Sequence, residues 1–182
     1  DRRPSVAARR ALGYKAWVHW PHLETQGNEK ILIRPATQED AESIFAVHQN
    51  SVENLCNADY GPEQIAMWLD GRSPETYRSA IAAGNLWLAH TDTLQGFVEI
   101  DGHEVSKLFI RGDAAGQGIG ARLLSEALQR IKTAGHAQAY LEATLTAEKF
   151  YAAFGFRKVG EGTFSRGNSQ VCIEIIKMEL VL

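Results

Sequence analysis

Only two cysteines, Cys56 and Cys172, occur in the 182 residues. So few, and so far apart, they cannot form the disulfide framework on which small secreted domains depend, and their scarcity points to a reducing compartment. No apolar run approaches the roughly 18 residues of a membrane span, and no stretch has the layout of a signal peptide. An excess of basic charge is missing too. Nineteen Lys and Arg stand against 22 Asp and Glu, a formal net charge of -3 that leaves no footprint for nucleic acid. Repeats and low-complexity tracts are also lacking. What remains is a hydrophobic share of 45% and a charged share of 23%, the balance of an ordinary globular domain able to bury its own core. A cytoplasmic protein without membrane or nucleic-acid partners is the expectation.

Charge is unevenly spread. Residues 1–29 hold Arg2, Arg3, Arg9, Arg10 and Lys15 against Asp1, Glu24 and Glu29, a net +2 that leaves -5 for the other 153 residues. A transit peptide begins in the same way, rich in arginine and poor in acid. A packed basic extension is the preferred reading, with a second domain of residues 30–182. Docking of the extension across a homodimer is one use for it. His19 and His22 stand three apart with no third ligand type nearby, so no metal site is expected.

From Lys30 the pattern is regular. Lys30 to Arg34 reads as a strand. Thr37, with Asp40 three residues on, is a capping-box start to a helix bearing Ile44, Val47, His48 and Val52 on one face. Gly61-Pro62 opens a second helix through Trp68, and Ser73-Pro74-Glu75 a third that ends at Gly84. Three strands follow, at 85–90, 94–101 and 104–110, joined by tight links. After Ile110 comes a helix with Ile119, Leu123, Leu124, Ala127, Leu128 and Ile131 on one stripe, then a strand (137–143), a helix (146–154) and two strands (156–160 and 169–180). The class is mixed α/β, with an antiparallel first half and a strand–helix–strand crossover in the second.

The most informative stretch is Ala115-Gly116-Gln117-Gly118-Ile119-Gly120-Ala121, between a strand and a helix. Three glycines in five residues let backbone N–H groups approach a ligand, and the helix adds its positive N-terminus, so an anionic pyrophosphate is the natural guest. A merely tight turn would need only one glycine. A Walker loop needs a lysine, and none lies between Lys107 and Lys132. Gly116-x-Gly118-x-x-Ala121 formally matches a dinucleotide fingerprint. It stands five residues too late after its strand, however, and an antiparallel meander precedes it.

With Leu108-Phe109-Ile110 before this loop, and Phe150-Tyr151-Ala152-Ala153-Phe154-Gly155-Phe156 after the next strand, the chain resembles the GNAT superfamily of acetyl-CoA-dependent N-acetyltransferases. The resemblance runs from about Lys30 to Leu180. It implies a mixed sheet of six to seven strands with splayed fourth and fifth strands and about four flanking helices. It implies acetyl-CoA as co-substrate, no metal, and a small-molecule or peptide amine as acceptor. Main-chain groups of Leu108, Phe109 and Ile110 would hold pantetheine, and Ala115 to Ala121 the phosphates. Ala115 departs from the family's usual Gln or Arg, which raises the alternative of a non-catalytic acyl-CoA-binding sensor or interaction module.

Tyr151 resembles the family's general acid, which protonates the departing thiolate. A thiol pKa of ~8.5 and a phenol pKa of ~10 lie close enough for a shared proton. Glu104 is the best match to the water-mediated base; an exposed turn carboxylate is the competing reading. Strand alternation places it on the face of Ser106 and Leu108. Acceptor contacts are expected among His48, Glu53, Asn57, Asp59, Tyr60, Trp68 and the segment Phe164 to Ser169. Asp59 and Glu53, with the -5 domain, lean toward a cationic amine.

Overall fold

A computed structural model describes residues 30–182. The basic extension read at residues 1–29 lies outside the described residues. Seven strands form one sheet in the order β1-β2-β3-β4-β5-β7-β6. They are β1 (Leu32–Pro35), β2 (Leu86–His90), β3 (Leu94–Asp101), β4 (Glu104–Ile110), β5 (Gln138–Thr144), β6 (Arg157–Phe164) and β7 (Ile173–Val181). Five α-helices flank it: α1 (Ala41–Leu55), α2 (Pro62–Leu69), α3 (Arg78–Ala82), α4 (Ile119–Thr133) and α5 (Glu148–Ala153). None is long and apolar enough to cross a membrane.

Local chemistry sets the entries to these elements. Asp40 closes the expected capping box, accepting from the Thr37 amide at 2.7 Å, and forms a two-pronged pair with Arg34 at 2.7 and 2.8 Å. Those bonds hold its carboxyl well below the usual range. β1 begins two residues later than its sequence suggests and takes in Pro35, which an edge strand tolerates because one side of it needs no N–H. β6 runs on past Gly160, where the glycine signal reads as an end. A register shift between Lys158 and Gly160 absorbs the irregularity, and pairing with β7 continues to Phe164 opposite Ile173.

β1 to β4 are consecutive antiparallel neighbours, while β4 and β5 are parallel and joined through α4. Leu123, Leu124, Ala127 and Ile131 of α4 are buried against Val98, Val105, Ala139, Leu141 and Met178 on one sheet face. On the other face, α1 and the segment around Tyr77 bury Ile44, Val47 and Tyr77 against Leu86, Leu88 and Phe97. A third cluster joins Val52, Tyr60 and Trp68 to Ile173 and Ile175 of β7.

The two halves of the sheet meet narrowly. β4 and β5 share one register pair, Glu104 with Tyr140, and the Tyr140 amide donates to His103 O at 3.0 Å. β5 pairs with β7 along its whole length, and β4 stays paired with β3 as far as Ile110 opposite Gly96. Gly96 is forced by crowding. A Cβ there would stand 2.8 Å from both Phe109 O and Ile110 Cγ2, and 3.1 Å from Leu123 Cδ1. Gly96→Ala should therefore destabilise the fold by about 1–3 kcal/mol through overpacking. The urea midpoint measures it, and an unchanged midpoint contradicts this account of the strand pair.

Candidate active site

Beyond Glu104 the edge of β4 that faces β5 is free of strand pairing, and a cavity of about 740 Å³ opens there. Residues from both sheet faces line it. Ala115, Gly120, Phe150 and Tyr151 come from the α4 and α5 side, and His48, Trp68 and Arg72 from the α1 and α2 side. The cavity thus passes through the sheet at the parting of the strands.

The glycine turn stands at one end. Gly116 and Gly118 have φ of +77° and +80°, a left-handed backbone that favours glycine, and a Cβ on either would meet nothing within 4 Å. Gly118 is the N-cap of α4, and no side chain caps the helix. Its first amides are therefore open to an anion. Gln117 bends back to Asp113 O at 2.8 Å, Ile119 is buried in the core, and Ala121 is half-buried. Of the loop residues only Ala115 and Gly120 reach the cavity wall; the others offer main chain alone. Leu108, Phe109 and Ile110 line the wall beside them.

Tyr151 is 7% exposed on α5, with Phe150 and Phe156 edge-on to its ring. Burial pushes its phenol pKa above the ordinary value, so the hydroxyl stays protonated wherever a thiolate can form.

Glu104 lines the same cavity, but not on the face that strand alternation gives it. Glu99 pairs with Lys107 and Ile100 with Val105, which leaves Ser106 as an extra residue in a β-bulge. The bulge reverses the phase, so Val105 joins Leu108 and Ile110 in the α4-side core, and Glu104 turns to the opposite face. There it is half-buried beside Glu142. Burial raises its pKa, and the Glu142 and Asp101 carboxylates add to the effect, against a smaller opposing pull from His103 and Lys107. A carboxyl shifted this way is a stronger base near neutral pH than an exposed one.

The acceptor candidates divide. His48 and Trp68 line the cavity, as do Phe164 and Arg166 of the 164–169 segment. Glu53, Asn57 and Asp59 do not: Glu53 accepts from Gln49 at 2.9 Å, Asp59 from Thr146 Oγ1 at 2.7 Å, and Asn57 is exposed. Tyr60 is a brace. Its hydroxyl donates to Glu174 O at 2.7 Å and accepts from the Leu145 amide at 2.9 Å. Sequence reasoning missed Arg72 and Lys107. Arg72 stands in an Asp-Gly-Arg-Ser-Pro turn that reads as solvated, and Lys107 belongs to no motif.

A sheet whose fourth and fifth strands part over a glycine turn, with a buried tyrosine at the parting, defines an acyl-CoA-dependent acyltransferase. The family model described as an acetyltransferase (GNAT) domain matches residues 56–182, and the chain belongs to that family of acetyl-CoA-dependent N-acetyltransferases. It is similar to the N-acetyltransferase YafP of Escherichia coli, 22% identical over 130 residues that cover 71% of this chain and 83% of YafP. Its fold is like that of a GCN5-related N-acetyltransferase of Rhodopseudomonas palustris, with a TM-score of 0.77 and 23% identity over 83% of this chain and 95% of that one. It is also like the PaiA N-acetyltransferase of Thermoplasma acidophilum in complex with coenzyme A, with a TM-score of 0.68 and 24% identity over 84% and 99% of the two chains.

Tyr60→Phe should cost about 1–3 kcal/mol, because it strands a carbonyl on β7 and an amide just before α5. Urea unfolding reads the loss; stability equal to the parent would show that the brace carries no tension.

Proposed function

We propose that the protein acetylates a primary amine of a small molecule or peptide by direct attack, with Tyr151 as general acid and Glu104 as a base acting through water. One observation carries this reading: a single cavity holds the glycine turn, the free edge of β4, Tyr151 and Glu104. Acetyl-CoA supplies the activated thioester. The amides of Gly116, Gly118, Ile119, Gly120 and Ala121 suit its pyrophosphate, while Ala115 and Gln117, whose amides close the turn onto Gly112 O and Ala114 O, shape the main chain around them. The main chain of Leu108 and Ile110, on either side of Phe109, faces away from β3 and offers hydrogen bonds to pantetheine that orient the thioester carbonyl.

Glu104 takes a proton from the ammonium through water. The amine nitrogen then bonds to the acetyl carbon as the carbon–sulfur bond breaks, Tyr151 gives its proton to the departing sulfur, and the proton shed by the new amide nitrogen returns through water to the Tyr151 oxygen. The side chains needed for proton traffic thus stand on opposite faces of the sheet and meet at its parting.

Ala115 on the cavity wall favours one rival reading, a binder of acyl-CoA that has lost turnover. Isothermal titration with acetyl-CoA combined with a thiol-release assay over a panel of amines separates the two. Binding with release supports acetyl transfer; binding without release supports the rival; no binding at millimolar concentration removes both. Tyr151→Phe should lower kcat about tenfold or more with CoA affinity unchanged. Wild-type turnover in that variant takes Tyr151 out of the acid role. Glu104 works deprotonated and its pKa is raised, so kcat/KM should fall on acidification at a pH above the ordinary glutamate range, and Glu104→Gln should lose that limb.

A further inference from the structure

Positive charge, rather than the negative charge suggested by the domain's net balance, surrounds the α2 end of the cavity. Arg72, Lys107 and Arg166 all line it. Lys107 is matched by Glu99 at 2.7 Å, with Ser106 Oγ on the same carboxylate oxygen at 3.1 Å. The two arginines are less well matched: among the described residues neither forms an ion pair, and the Glu99 charge that reaches Arg72 is already held by Lys107. They are also close together. Nη2 of Arg166 lies 3.8 Å from where a Cβ on Gly71 would stand, next to Arg72, and burial together with the Arg166 charge pulls the Arg72 pKa down. Two half-buried guanidiniums side by side are costly unless an anion joins them.

A histidine shares this wall. Arg72 is fixed by donating Nε–H to Trp68 O at 2.9 Å. The Tyr77 hydroxyl lies 2.8 Å from Nδ1 of His48. His48 is 1% exposed, stacked on Phe109 at 3.8 Å, and its Nε2 is buried without a partner. Burial and the three nearby cations push its pKa down to about 2, so the ring is neutral.

We propose that Arg72 and Arg166 form a subsite for a carboxylate of the amine acceptor. The substrate class is then an amino acid or similar amino-carboxylate, not a polyamine. This deepens, and rests on, the acetyl-transfer reading. The rest of the cavity agrees with it. Glu104 and Glu142 line another part of the same wall, so the site offers carboxylates for an ammonium and guanidiniums for a carboxylate. Trp68 and Phe109 supply apolar wall between.

Matched probes test the subsite without relying on turnover. Isothermal titration of the full chain, with CoA present, compares glycine, leucine and phenylalanine with glycinamide, leucinamide and phenylalaninamide. The carboxylate should bind about tenfold or more tighter in at least one pair, and Arg166→Met and Arg72→Met should each abolish that preference. Arg166→Met leaves the Arg72 bond to Trp68 in place, so it reads the anion site even if Arg72→Met unfolds. Equal or tighter binding of the amides, no binding of any carboxylate probe at millimolar concentration, or a preference that survives in Arg166→Met overturns the proposal. A preference lost in Arg166→Met but unaccompanied by thiol release upholds the subsite and removes acetyl transfer.

Discussion

A strand edge without a neighbour presents a row of N–H and C=O groups that need partners, and a buried edge cannot leave them unmet. β4 has such an edge. It meets β5 at Glu104 and Tyr140 and then parts from it, while each strand remains fully paired on its other side. The unmet row is what an extended ligand can complete, and the gap beside it is the cavity. The other site features follow from this parting: the turn where β4 gives way to α4, the tyrosine on α5, and the glutamate at the point of contact.

The bulge at Ser106 sits two residues from that single pair. An extra residue twists its strand more strongly, and a strand twisted at its start departs from a parallel neighbour. Ser106 therefore has two effects. It turns Glu104 to the α1 side, where Lys107 already stands, and it lies where the strands begin to diverge. Its hydroxyl, bonded to Glu99, holds the irregularity in place.

Much of this was legible in the sequence. The glycines at 116 and 118 mark a backbone that no other residue adopts as easily, and the apolar stripe of α4 gives the crossover its period. Thr37 and Asp40 close the box that their spacing describes. A bulge, in contrast, leaves no trace in period-two reasoning when the extra residue is a serine, so the face of Glu104 came out reversed. Arg72 was hidden for another reason. It stands in a short polar turn, and only the fold brings that turn to the 164–169 segment that carries Arg166. Net charge carries no position either: the -5 is a sum over the domain, whereas Arg72, Lys107 and Arg166 share one cavity wall.

The narrow union of the two half-sheets also has a mechanical side. Where hydrogen bonds fix the spacing of strands, that spacing is set by the backbone and is the same in every protein. Between β4 and β5 it is set instead by what fills the space behind them, chiefly Leu123, Leu124 and Ala127 of α4. Those side chains act as a gauge block. The width of the cleft is thus written in the volumes of residues that never touch a ligand, and a lineage could retune it one methylene at a time while leaving every polar group in the cavity untouched.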